Sequence, residues 1–279
     1  MLQDLRIAFI GGGNMARSLI GGLVAKGCKP GRISVSEPNA EQRALLAKRF
    51  PVRMSEDGAA AVQDADVVVF AVKPQVMKPV AESVAVAAQS RKPLIVTIAA
   101  GITIADLDRW LGGGHAIVRV VPNTPALLGS GAAALYANPK ASADQRAVGQ
   151  ALLEAVGTAL WIEDESLMDA VTALSGSGPA YFFLLMEHME TAALELGLPA
   201  AAARQLTLQT ALGAARMALE SGEAPEALRK HVTSPHGTTA AALAVFEESG
   251  LKAIVARALT AARDRGRQLS RESAGHKPT

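Results

Sequence analysis

The sequence predicts an α/β protein in which a doubly wound, mostly parallel sheet is followed by a smaller all-α part. Over the first half, short β-branched runs alternate with longer helical patterns, which is how a parallel sheet covered by helices reads. Beyond Ile162 no convincing strand appears, and Ala, Leu, Glu and Gln dominate. The chain has 279 residues, 49% apolar and 19% charged, with mean hydropathy +0.21. That is enough for one large or two ordinary domains and excludes disorder as the general state.

Residues 6–10, 33–36, 67–72, 94–98 and 116–121 are the expected strands. Residues 14–26 and 39–50 have the length and period of crossover helices. Residues 131–136 and 159–162 add two strands flanking a helix at 142–155, extending the sheet. The acidic run Glu163-Asp164-Glu165 marks the expected boundary, giving domains 1–162 and 163–279. Within the second, Ser175-Gly176-Ser177-Gly178-Pro179 should stop one helix and start the next, and Gly197-Leu198-Pro199 should do so again. The helix at 200–221 is small or apolar on nearly every face, whereas a surface helix shows one apolar stripe. A subunit interface would cover it; the high helix propensity of Ala is the plainer explanation. The tail 271–279 is polar and expected to be mobile.

Composition narrows the partners. Lys plus Arg number 28 against 26 Asp plus Glu, so no concentrated basic field awaits nucleic acid or an anionic membrane. With 4% aromatic residues, stacking platforms for single strands are hard to build. The longest apolar run, 94–105, is interrupted by Gly101 and falls short of the ~20 residues of a membrane span. Cys28 is the single cysteine and cannot close an intrachain disulfide. The start lacks the basic-then-apolar order of a signal peptide, so a cytoplasmic location is expected. His115, His188, His231 and His276 lack metal-ligand spacing, and no metal is implied.

Directly after the first strand, Gly11-Gly12-Gly13-Asn14-Met15-Ala16 fits G-x-G-x-x-A and runs into a helix. Strand, glycine turn and helix N-terminus within a βαβ unit are the Rossmann context that gives this motif meaning. Gly11 would permit the turn and Gly13 the approach of a pyrophosphate, while Ala16 would let the helix lie close to the sheet. Free N–H groups around Asn14 and Met15 would face the phosphates. A Gly-rich turn without ligand is the alternative. At the end of the second strand Ser36 can donate to a 2′-phosphate, with Arg43 an unplaced counter-charge, while Glu37 favours a free ribose hydroxyl. The reading favours NADPH, with NADH as the alternative. Ala71-Val72-Lys73-Pro74 and Ala99-Ala100-Gly101 lie at strand ends, where ligands of open sheets sit. Lys73 reaches the cofactor or stands as a solvated charge. In residues 119–125 two prolines bracket Asn123, which suits orientation of the nicotinamide carboxamide or the substrate; a stiff turn is the alternative.

Residues 10–16, 71–75, 99–102, 122–126, 173–181 and above all Val232-Thr233-Ser234-Pro235-His236-Gly237-Thr238-Thr239 resemble the pyrroline-5-carboxylate reductase family over nearly the whole length. The resemblance implies a Rossmann domain and an all-α dimerisation domain interlocking with a second subunit. It also implies NAD(P)H-dependent reduction of the cyclic imine of 1-pyrroline-5-carboxylate to L-proline, the last step of proline biosynthesis. Hydride transfer belongs to the cofactor, so the protein must orient two rings, hold a carboxylate and offer one hydrogen-bonding group to nitrogen. By the resemblance Thr239 lies near the ring nitrogen and is the catalytic candidate. Ser234, Gly237, Thr238 and Thr239 would bind substrate, with Thr172 and Ser175 as further contacts. Ordinary helix-start signals explain the same Ser and Thr cluster. Two departures stand out. His236 occupies a position where the family usually has Gly, and His tolerates left-handed geometry better than most. Gly58 stands where relatives commonly carry Asn near the adenosine ribose. A β-hydroxyacid dehydrogenase has the same architecture but needs a helix lysine, and residues 141–229 contain none. A non-catalytic NADPH-binding protein is the other rival.

Overall fold

The computed structural model describes residues 2–273. Eight strands form one sheet: β1 (Ile7–Ile10), β2 (Ile33–Ser36), β3 (Arg53–Ser55), β4 (Val67–Phe70), β5 (Leu94–Thr97), β6 (Ile117–Val121), β7 (Gly131–Ala137) and β8 (Gly157–Trp161). Their order is β3-β2-β1-β4-β5-β6-β7-β8. Every pairing is parallel except β6 with β7. The order reverses between β1 and β4, which makes the carboxyl ends of those two strands the switch point of a doubly wound sheet. The helices of this part are α1 (Asn14–Ala25), α2 (Ala40–Arg49), α3 (Gly58–Val62), α4 (Pro74–Arg91), α5 (Ile104–Trp110) and α6 (Ala143–Glu154).

Alternation along the strands feeds two cores. Ile7, Phe9, Ile33, Val35, Val67 and Val69 pack with Leu19, Ile20 and Leu23 of α1. Ala8, Ile10, Val68, Phe70 and Ile95 pack with Met77, Val84 and Leu107 on the opposite face. A strand buried on both faces reads as a continuous apolar run, which is why β1, β4 and β5 were legible. The short β3 was not: Arg53-Met54-Ser55 joins β2 only at the sheet edge and has no apolar alternation. The two added strands and their helix formed as expected, α6 carrying a Ser142/Gln145 capping box. A methyl at Gly157 would lie 2.0 Å from the Gly131 carbonyl oxygen, so the Gly131/Gly157 register admits only glycine there.

The chain continues as α7 (Met168–Val171), a π-helical turn (Thr172–Gly176), α8 (Gly178–Glu195), α9 (Ala200–Glu220), α10 (Pro225–His231), α11 (Thr238–Glu248) and α12 (Leu251–Ser273). The expected stop at 175–179 is present: a π turn closed by Ser177 N–H on the Thr172 carbonyl at 2.8 Å ends at Gly176, and α8 starts at Gly178 with Pro179 in its first turn. Gly197, at φ 92, does end α8, and α9 starts after Pro199 as expected. Glu163 marks the end of the strands but not a packing boundary. One compact unit runs through Ser177 and takes in α12 from Ala262; the other is Gly178–Ala261. The reason lies in the salt bridges of Arg119 to Glu165 and Asp169 and in the burial of Met168 and Ala173. Residues 271–273 of the expected tail are helical, and the rest lies outside the described residues.

In the second unit α8 and α9 pack together. Much of their apolar surface stays open, including Phe182 (65% exposed), Phe183 (62%) and Leu212 (54%). Only Ala203 and Thr207 of α9 are buried.

Candidate active site

The glycine turn is shaped by its neighbours. Gly11 has φ 99 and donates its N–H to the Ser36 carbonyl at 2.8 Å. A Cβ at Gly11 would sit 2.7 Å from the Ala71 carbonyl oxygen, so β1 and β4 leave room only for glycine. Gly12 is tight against Leu46. Gly13 differs from both: a Cβ there would meet nothing within 4 Å, and its φ is an ordinary −67°. It is the N-cap of α1 and has no side chain to satisfy the first N–H groups. Gly13 and Asn14 are exposed, Met15 is half-buried and Ala16 is fully buried against the sheet. An open glycine, an uncapped helix N-terminus and a switch-point location together fit a dinucleotide pyrophosphate.

The other expected cofactor residues lie at the carboxyl ends of the same parallel strands. Ser36 ends β2 and is buried, with Gly58 of α3 beside it: a Cβ on Gly58 would lie 3.7 Å from Ser36 Oγ. Ala71 and Val72 follow β4, and exposed Lys73 is the N-cap of α4, with Pro74 at its first position. Ala99 and Ala100 follow β5. Gly101, at φ 73, is packed against Leu269 and Ser270 of α12, so that side of the loop is already covered.

Three residues do more than their sequence positions suggested. Glu37 accepts the Gly12 N–H at 2.9 Å and the Asn39 N–H at 3.0 Å, so its carboxylate braces the glycine turn. Arg43 is placed as well: it donates to the carbonyls of Glu37 and Pro38 and pairs with Glu56. Arg119, buried in β6, binds Glu165 at 3.0 Å and approaches Asp169 at 3.8 Å. The signal was a lone charge within the apolar run of β6.

Asn123 is buried with both ends of its amide engaged. Its Oδ1 accepts from Ala132 N–H at 2.9 Å and its Nδ2 donates to the Ser175 carbonyl at 3.1 Å. In the π turn the hydroxyls of Thr172 and Ser175 donate to the carbonyls of Met168 (2.9 Å) and Val171 (3.0 Å). Each oxygen keeps lone pairs that can accept.

The hydroxyl-rich loop belongs to the second unit. Helix α11 begins at Thr238 with Gly237 as N-cap and no side-chain cap, so Ser234, Thr238 and Thr239 are not spent on capping it. A Cβ on Gly237 would fall 2.4 Å from Ser234 Oγ. His236 has φ 61, the left-handed geometry that the Gly-to-His departure called for. The groups with shifted pKa lie outside the expected site. Burial pushes the Cys28 thiol up and holds His115 below the usual histidine range. For Asp66 and Asp108 burial pulls upward but is outweighed by hydrogen bonds, from Arg6 N–H and Arg91 to the first and from His115 N–H and Lys140 to the second. Ser166 lowers Asp164. Among the described residues no group of three His, Cys, Asp or Glu is placed to hold a metal.

The family model "Pyrroline-5-carboxylate reductase dimerisation" matches residues 165–269, and "NADP oxidoreductase coenzyme F420-dependent" matches residues 6–101. A pyrroline-5-carboxylate reductase of Pseudomonas aeruginosa is 55% identical over 96% of this chain and 97% of its own. The chain belongs to the pyrroline-5-carboxylate reductase family. A reductase structure from Coxiella burnetii superposes with TM-score 0.91 at 42% identity, covering 95% of this chain and 98% of that one. The Plasmodium falciparum pyrroline carboxylate reductase, crystallised with NADP bound, gives TM-score 0.86 at 26% identity, covering 97% and 100%. Members of this family are oxidoreductases, and the all-α dimerisation region is part of the family pattern.

Proposed function

We propose that this protein reduces 1-pyrroline-5-carboxylate to L-proline with NADPH as the preferred donor and NADH as the weaker one. The observation that carries the reading is the 55% identity to the Pseudomonas aeruginosa reductase across 96% of the chain. When bound, the nicotinamide supplies the hydride. The protein's residues do the rest. Gly13, Asn14 and Met15 hold the pyrophosphate on a turn that Gly11 permits and a helix that Ala16 seats on the sheet, and Ser36 meets the adenosine ribose. The segments Ala71-Val72-Lys73-Pro74 and Ala99-Ala100-Gly101 form the walls of the nicotinamide half. Ser234 and the backbone N–H of Thr238 hold the substrate carboxylate, an anion that an uncapped helix start suits, while Gly237, whose N–H closes the turn on the Ser234 carbonyl at 3.1 Å, lets the carboxylate approach the backbone. Thr239 holds a hydroxyl at the ring nitrogen and relays to it a proton that water supplies, while Thr172 and Ser175, their hydroxyl protons donated to the Met168 and Val171 carbonyls, line the substrate ring.

The open apolar surface of α8 and α9 supports a homodimer or a higher homo-oligomer. No helix of the described residues is long and apolar enough to cross a membrane; we place the enzyme in the cytoplasm. The absence of lysine between residues 141 and 229 disfavours a hydroxyacid substrate. The test mixes purified protein with pyrroline-5-carboxylate and NADPH or NADH and follows absorbance of the reduced nicotinamide. Turnover with a lower KM for NADPH is expected. No turnover with either donor sinks the activity, and an equal or lower KM for NADH sinks the preference.

A further inference from the structure

The segment Ser175-Gly176-Ser177-Gly178-Pro179 creates a backbone problem that another residue solves. In a continuing helix the Ser175 carbonyl would accept from the N–H four residues on, but that residue is Pro179, which has none. A carbonyl left without a partner away from water is costly. Asn123 Nδ2 supplies the donor at 3.1 Å, while Asn123 Oδ1 is tied to Ala132 of β7 at 2.9 Å. These two partners also assign the amide, since a main-chain N–H requires Oδ1 and a carbonyl requires Nδ2. The π turn lies directly on the sheet: a methyl at Gly176 would stand 3.4 Å from Val121 Cγ1. Single π turns inside helices occur frequently at functional sites. This one carries Thr172 and Ser175, with both hydroxyl protons committed to the backbone.

We propose that Asn123 is a positioning residue for the substrate: it fixes the register of the π turn bearing Thr172 and Ser175 by replacing the N–H that Pro179 lacks, and it does not read the nicotinamide carboxamide. The inference rests on the proposed reductase activity and on the substrate-side role given to those two hydroxyls. Asn123→Asp tests it, because the variant keeps an acceptor for Ala132 N–H, loses the donor and sets a carboxylate against the Ser175 carbonyl.

Steady-state kinetics of Asn123→Asp should show KM for pyrroline-5-carboxylate raised at least ~10-fold, with KM for NADPH within about twofold of the parent enzyme. In a Pro179→Ala background an N–H is restored four residues from Ser175, and the same change should raise substrate KM by less than about threefold. A rise in NADPH KM with substrate KM unchanged would mean that Asn123 serves the cofactor, and overturns the proposal. A lowered melting temperature with both KM values unchanged would mean a structural role only, and overturns it too. If Asn123→Asp does not fold, Asn123→Ser, whose hydroxyl can accept from Ala132 N–H, carries the same readout. An unmodified protein without turnover fails the functional reading itself, a result separate from any Asn123 effect, and overturns both.

Discussion

Gly13→Ala separates binding from folding at the glycine turn. The residue has φ −67°, a conformation alanine adopts freely, and the added methyl would find no atom within 4 Å. Stability of the cofactor-free protein should therefore fall by no more than about 1 kcal/mol, the preference of an N-cap for glycine over alanine. Binding is another matter, since a pyrophosphate brought against the backbone must now clear the methyl. Weakening one or two charge-assisted hydrogen bonds costs about 1.5–3 kcal/mol, roughly 10- to 150-fold in affinity. Gly11→Ala gives the opposite profile. Its methyl would be 2.7 Å from the Ala71 carbonyl oxygen at φ 99, so folding itself should lose at least ~2 kcal/mol. The assays are urea unfolding without cofactor and NADPH titration by nucleotide fluorescence. A Gly13→Ala protein that binds NADPH as tightly as the parent would refute the placement of the pyrophosphate.

Three further outcomes are expected. Thr239→Ala should keep its fold and lose at least ~10-fold in kcat at saturating substrate, and an unchanged kcat removes Thr239 from catalysis. His236→Gly relieves a left-handed side chain at φ 61, so stability should hold or rise by up to about 1 kcal/mol with kcat within about twofold; a tenfold loss of kcat would give the imidazole a role in the chemistry. Asp66, held by Arg6 N–H at 2.9 Å and Arg91 at 2.7 Å, has its pKa lowered by folding. Its contribution is therefore present above the unfolded carboxylate range near ~3.9 and lost as pH falls through the folded value. Asp66→Asn should be less stable than the parent at pH 7, and the gap should close as pH falls through the lowered folded value of the carboxyl; a gap that does not narrow in acid contradicts this account.

The sheet was legible wherever burial was simple. Strands β1, β2, β4, β5 and β6 came within two residues of their observed ends, because apolar runs closed by glycine or proline leave few alternatives. The left-handed turn at His236 was legible too, through the replacement of a residue type that marks positive φ. The helix stop at 175–179 was legible as well, because Gly and Ser end one helical stretch at Gly176 and Pro179 falls in the first turn of α8. The π turn before it was not, since it depends on Asn123, which reaches Ser175 from the loop after β6.

The linear order of residues was enough for the doubly wound class, the glycine turn and the family, since each depends on contacts or spacings within a βαβ unit or on an ordered set of motifs. Tertiary structure alone decided that Glu37 braces Gly12, that Arg119 keeps residues beyond Glu163 with the sheet, and that Asn123 spends its amide on Ser175 rather than standing free. Each joins groups 25 to 52 positions apart. Such pairs form because buried donors, acceptors and charges must find partners, and which partner is near depends on how the whole sheet packs.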